Sequence, residues 1–312
     1  MKETIGQAVV RNDALDKVTG RLKFPGDLNM EGQLYAKMLW SERPHARVQI
    51  DTSEAEAAPG VVAVLTGKDV PRNEFGLIFK DQPVFSFDVV RSVGDPIAMV
   101  VAETERAAAQ ARELINVEYA DLPVVTDPRV AMKRGAPVIH EKKGSNILKT
   151  YRIRKGDVEK GFAQADVIVE DDYFTPLTEH AFMQPEAGIG YIDDEGRITV
   201  HSTGQWAHDD RHQIAHALDL PEEQIRVIYT PAGGAFGGRE DISVQLALAL
   251  AAWKVHRPVK IVWSREESTR GHHKRHAFYI HHKVGATKEG EITAMDVRIV
   301  ADAGAYASSS TA

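Results

Sequence analysis

The run Pro231-Ala232-Gly233-Gly234-Ala235-Phe236-Gly237-Gly238-Arg239-Glu240 gathers residue types that can act at close quarters. Its glycines let the backbone reach positive φ and approach another group closely. The run lies between a strand-like stretch and an apolar helix-like one. It is therefore expected to open a helix, where unpaired amides and the positive dipole end favour an anion. It fails both common nucleotide patterns. Ala235 breaks Gly-x-Gly-x-x-Gly. Arg239 and Glu240 stand where a P-loop needs Lys followed by Ser or Thr. A carboxylate at Glu240 would repel phosphate, so the loop suits a polar neutral substrate or a protonated heterocycle better. Upstream, Ser202-Thr203-Gly204-Gln205 ends a strand-like stretch. The Gln205 amide can donate a hydrogen bond without carrying charge.

Other polar clusters have plainer readings. His272, His273, His276, His281 and His282 crowd one stretch, but Lys274 and Arg275 interleave them and no carboxylate sits among them. They are read as entering an alternating strand, with no metal site. His180 beside Glu179 is read as a buried, hydrogen-bonded histidine. Asp209 and Asp210 are read as acidic residues capping a helix start. The chain has no Gly-x-Ser-x-Gly, so a serine-hydrolase elbow is unsupported.

The elements that must position these residues follow from periodicity. Strands are expected at 34–39, 47–50, 61–65, 97–102 and 115–119, with helices at 53–58 and 103–114. This alternation predicts one compact α/β domain over residues 1–130, including an N-terminal arm. Residues 131–155 contain Gly135, Pro137 and Gly144 and read as a linker. In residues 156–312, strands are expected at 167–174, 187–191, 198–202, 225–229, 259–263, 278–280 and 292–300, and again at the end of the chain. Helices are expected at 207–218 and 244–255. The fold class is therefore α+β, with two regions.

Composition narrows the function. With 43% hydrophobic and 27% charged residues, the chain can form a core. A net charge of −7 with interspersed signs argues against a nucleic-acid partner, which needs a basic face. No apolar run approaches about 18 residues, so no membrane span is expected. Residues 1–10 lack a basic start followed by an apolar stretch, so no secretory signal is read there and a cytoplasmic home is expected. The absence of cysteine excludes a disulfide, a thiolate zinc site or an iron–sulfur cluster held by this chain.

The glycine loop closely resembles the Gly-Gly-x-Phe-Gly-Gly-Lys-Glu motif of the xanthine dehydrogenase and aldehyde oxidase family, with Arg239 in place of Lys. Ser202-Thr203-Gly204-Gln205 resembles that family's Ser-Thr-Gln phrase, with Gly204 inserted, and Gln205 precedes Phe236 by the family's 31 residues. Lys17-Val18-Thr19-Gly20, Val93-Gly94-Asp95-Pro96, Glu179-His180, Trp263-Ser264-Arg265-Glu266-Glu267 and Asp302-Ala303-Gly304-Ala305-Tyr306 also match, in order.

The resemblance implies an α/β hammerhead domain followed by the first half of a mixed α/β molybdenum-cofactor-binding domain. It implies cofactor contacts at Gln205, Gly234, Phe236 and Gly237, and substrate contacts at Phe236 and Glu240. It places no catalytic residue in this chain, because the family's general base lies in the second half of the subunit. It implies a molybdenum–molybdopterin cofactor shared with that half, an iron–sulfur partner, an FAD subunit as an optional further partner, and a small-molecule substrate hydroxylated with oxygen from water. The chain alone is then expected to be inactive, with an apolar face uncovered near the glycine loop and the final strand. The alternatives are a non-catalytic half-subunit acting in binding or assembly, and a nucleotide enzyme, which the loop's mismatches disfavour.

Overall fold

A computed structural model describes residues 5–311. The readings of residues 1–10 and of the final residue thus lie partly outside the described residues. Among the described residues, thirteen strands form three sheets. They are β1 Leu34–Trp40, β2 Ala46–Asp51, β3 Val61–Thr66, β4 Val89–Val90, β5 Pro96–Ala102, β6 Asn116–Asp121, β7 Val167–Thr175, β8 Ala187–Ile192, β9 Ile198–Ser202, β10 Ile225–Tyr229, β11 Val259–Val262, β12 Phe278–Ala286 and β13 Ile292–Ala301.

The largest sheet has the order β10-β9-β8-β11-β1-β5-β3 and draws strands from both ends of the sequence. The join is the parallel pairing of β1 with β11, which sets Leu34 beside Val259 and Ala36 beside Ile261. Alternation is clear in its strand β1. β1 buries Leu34, Ala36, Met38 and Trp40 while the residues between are only half-buried. β5 is buried along almost its whole length, as an interior strand should be.

The helix Gln245–Val255 lies against β8 and β9. Its alanines and leucines are buried on every face through Ala252, so this helix is covered except in its last turn. Trp40 and Trp263 meet edge to face at 4.9 Å in the same core. A second core lies under the helix Glu105–Arg112 and includes Val48, Ile97, Val100 and Ala108.

The antiparallel sheet β13-β12-β7 is different. Val167, Ile168, Val169, Tyr173 and Phe174 of β7, and Ile292, Met295 and Ile299 of β13, are exposed. Ile168 and Val169 are neighbours and so point to opposite faces. Both faces of this sheet therefore present apolar side chains to solvent.

Two local expectations differ from the structure, and one helix was not expected. The glycine loop does not open a helix: residues 236–239 form a turn, and the next helix starts only at Gln245. The end of the chain, 304–311, is a series of turns rather than a strand. Here Tyr306 donates to buried Asp95 at 2.6 Å, joining two of the phrases read from sequence. The helix Arg265–Gly271 was missed, although Ser264 and Glu267 form a reciprocal capping box at its start.

No helix among the described residues is long and apolar enough to cross a membrane.

Candidate functional site

Two strand ends build the site. β9 ends at Ser202 and β10, parallel to it, ends at Tyr229, so the chain leaves both strands on the same edge. Residues 203–206 follow the first strand and the glycine loop follows the second. The Gln205 amide donates to the Arg239 carbonyl at 2.9 Å, which fastens the two segments together. The Gln205 side chain is exposed.

The loop's shape is held from below. Gly233 donates to Gln184 Oε1 at 2.7 Å, and the Gln184 amide donates back to the Gly233 carbonyl at 3.3 Å. Gly238 donates to the Ala235 carbonyl at 2.8 Å, closing the turn. Gly238 lies so close to the His180 and His272 rings that a β-carbon there would be 2.8 Å from the first and 3.0 Å from the second. Phe236 has φ of 52°, in the left-handed region that a bulky residue seldom adopts. Its side chain is 76% exposed. Gly237, at φ 82°, has open space where a side chain would stand. Among the described residues, neither Phe236 nor Gly237 donates a backbone hydrogen bond to another backbone group. Glu240 is half-buried at the far end of the loop.

Gln205, Gly234, Phe236, Gly237 and Glu240 thus fall within one strip. The strip offers a neutral amide side chain, a glycine open to close approach and an exposed aromatic ring. This set fits a group that presents an oxygen acceptor to the neutral Gln205 amide. It also fits an aromatic ligand laid against Phe236.

A buried network underlies the Gln205 segment, and sequence reasoning missed it. Asp210 is only 2% exposed and sits inside the helix Ala207–Leu218, whose N-cap is Trp206. It therefore does not cap that helix. Its carboxylate accepts from the Tyr229 hydroxyl and from Gln245 Nε2, the latter at 2.9 Å. The Tyr229 hydroxyl also fills the place of a side chain at Gly204, where a β-carbon would lie 2.4 Å from it. The inserted glycine is thus required by Tyr229.

Burial pushes the Asp210 carboxyl up to about 7, against the lowering effect of the bonds from Tyr229 and Gln245. The folded state then keeps a proton that the unfolded chain loses near pH 4. Stability contributed by Asp210 is full below about pH 4 and falls as pH rises to about 7. Asp210→Asn can accept the same two bonds without ionising. The variant's stability relative to the parent should therefore increase between about pH 4 and pH 7, by a few kcal/mol at about 1.4 kcal/mol per pKa unit. Urea titrations of both proteins across that range check this. A difference that does not change with pH would contradict it.

A second polar cluster lies behind the loop. Glu179, His180 and His272 bring ligand atoms within 4.8 Å of one another. The buried Glu186 has its Oε1 3.6 Å from His272 Nε2, and neither of its carboxylate oxygens accepts a hydrogen bond. Burial raises the Glu186 carboxyl and pushes His272 down to about 3, so the His272 ring is neutral near pH 7. Glu179 already holds the Lys274 ammonium at 2.6 Å. His180 Nδ1 is buried without a partner, contrary to the hydrogen-bonded histidine expected there. The carboxylates facing His272 come from about ninety residues upstream, where local spacing could not reveal them.

A family model for a molybdopterin cofactor-binding domain matches residues 139–312. A second, for the aldehyde oxidase and xanthine dehydrogenase a/b hammerhead domain, matches residues 19–123. A probable xanthine dehydrogenase subunit of Bacillus subtilis (strain 168) is 46% identical over 96% of this chain, which spans 40% of that relative. The nicotinate dehydrogenase large molybdopterin subunit of Eubacterium barkeri is 42% identical over 98% of this chain, which spans 72% of it. Among solved structures, quinoline 2-oxidoreductase from Pseudomonas putida 86 superposes with a TM-score of 0.89 at 27% identity, over 98% of this chain and 40% of its own.

Proposed function

The chain belongs to the aldehyde oxidase and xanthine dehydrogenase family of molybdopterin-binding oxidoreductases, and from that premise we propose that it supplies one face of a molybdenum hydroxylase site. The observation that carries the reading is the Gln205–Arg239 backbone bond, which sets the glutamine and the glycine loop side by side on one edge of the sheet. The molybdenum–pterin group supplies the oxygen transfer and the two-electron chemistry when bound. This chain's residues bind and position.

Gln205 directs a neutral N–H donor outward, suited to an oxygen ligand of the metal. Gly234 and Gly237 give the cofactor room against the backbone. Phe236 provides a flat wall for a planar substrate and keeps water off one of its faces. Glu240 hydrogen-bonds a polar edge of that substrate. A nitrogen heteroaromatic answers best to an aromatic wall paired with a carboxylate. No side chain of this chain takes the general base role, which falls to polypeptide beyond the matched span. The B. subtilis relative, of which this chain spans 40%, has ample length for it. The exposed apolar faces of the β13-β12-β7 sheet fit cover by such polypeptide. Iron–sulfur clusters on a partner subunit, with or without an FAD subunit, receive the electrons. The setting is a heteromeric complex in the cytoplasm.

Isotope labelling of the assembled enzyme tests this. Turnover of a nitrogen heteroaromatic in 18O-water should give a hydroxylated product carrying one 18O, and turnover under 18O2 in ordinary water should give none. Label from O2, or no hydroxylation with any heterocycle or aldehyde, would contradict the proposal.

A further inference from the structure

Arg239 stands where the family motif carries lysine, and its surroundings use what distinguishes the two side chains. The residue is 5% exposed. Its guanidinium carbon lies 3.9 Å from the centre of the Phe182 ring. Nε donates to the Gly234 carbonyl at 3.2 Å, and Nη2 donates to the Gln184 carbonyl. Its own carbonyl accepts the Gln205 amide. No carboxylate among the described residues lies within ion-pair distance of it. Glu186, buried and without a hydrogen-bond partner, still exerts an attractive charge on it.

Three chain segments therefore meet at this residue: 182–184, the glycine loop and the strand end at Gln205. A planar fork of five N–H donors can serve two carbonyls and stack on a ring at once, whereas an ammonium has no planar face. The loop also needs restraint. Phe236 is held at φ 52°, between Gly234 at 109° and Gly237 at 82°, and such backbone persists only where its surroundings over-determine it.

We propose that Arg239 is a positioning residue, a strut that sets the loop's conformation and its spacing from Gln205. Its consequence for catalysis rests on the hydroxylase reading above, but its structural content does not. It touches neither substrate nor cofactor. It acts through Phe236 and Gln205.

Hydrogen exchange on the full chain reads this directly. The reporters are the Gln184, Gln205, Gly233 and Gly238 amides, all bonded within the cluster. Arg239→Met, which keeps chain length but no donor, should speed their exchange at least tenfold while amides of β1 and β5 change less than twofold. Arg239→Lys should fall between. If Arg239→Met does not fold, Phe182→Leu, which removes the stacking face, should accelerate the same four amides. In the assembled enzyme, normalised to cofactor content, Arg239→Lys should raise KM for a heteroaromatic at least threefold. A merely structural role would lower the active fraction and leave KM unchanged. Parental exchange at the four amides in Arg239→Lys and in the second variant that folds overturns the strut. Fast exchange with no hydroxylase activity leaves the strut standing and removes only its catalytic consequence.

Discussion

Replacing Phe236 by alanine should cut turnover of heteroaromatic substrates roughly tenfold to hundredfold while barely moving the melting temperature. A ring stacked on a planar ligand is worth about 1–3 kcal/mol, and each 1.4 kcal/mol or so is a factor of ten in rate. The stability side follows from exposure. A core phenylalanine truncated to alanine costs about 3–5 kcal/mol, but Phe236 is 76% exposed, and surface changes usually stay within about 0.5 kcal/mol. Phe236→Gly sharpens the test. Glycine accepts the φ of 52° without strain, so this variant should melt no lower than the alanine variant while losing as much activity. Kinetic constants near parental values, with a large loss of stability, would place Phe236 in the core and remove it from the substrate wall.

Much of the frame behind this prediction was legible in sequence, because periodicity records burial. The strand Ile198–Ser202, the helix Ala207–Leu218 and the strand Ile225–Tyr229 are found where alternation and helical spacing put them. These three elements deliver Gln205 and the glycine loop. The strand read at 278–280 continues to Ala286 through His281, His282 and Lys283. Polar residues on partly open faces gave it no apolar signature. The expected helix at the loop's end was an error of proximity: a glycine run ahead of an apolar helix mimics a nucleotide loop. In the folded chain, five residues intervene, and Gln245 turns its side chain back to the Ser243 amide at 2.8 Å.

What sequence could not supply were contacts between distant segments. Asp210 obeys the local rule for an acidic helix start, yet Tyr229 and Gln245 draw it into the interior. His272 lay in a cluster without nearby acids, and its acidic neighbours arrive through the fold. The pairing of β1 with β11 joins residues more than two hundred positions apart into one sheet, for which no local pattern exists. The missed capping box at Ser264 and Glu267 is the exception, since that signal was present in sequence.

The central claim is that Gln205 and the glycine loop form one face of a molybdenum–pterin site completed by further polypeptide. Metal content tests it most directly. Residues 1–312 expressed alone should carry well under about 0.1 molybdenum per chain, because one neutral amide and a stretch of backbone are too few contacts to retain the group against loss of its translational freedom. Co-expression with polypeptide equivalent to the rest of the B. subtilis relative should raise that toward one molybdenum per complex, at least a tenfold gain. It should also cover the apolar faces of the β13-β12-β7 sheet, lowering hydrophobic-dye binding in parallel. Elemental analysis of the two preparations, grown with equal molybdate, decides the matter. The account predicts near-empty chain alone and near-stoichiometric complex; about one tightly held molybdenum per isolated chain, or a well-formed complex with none, would contradict it.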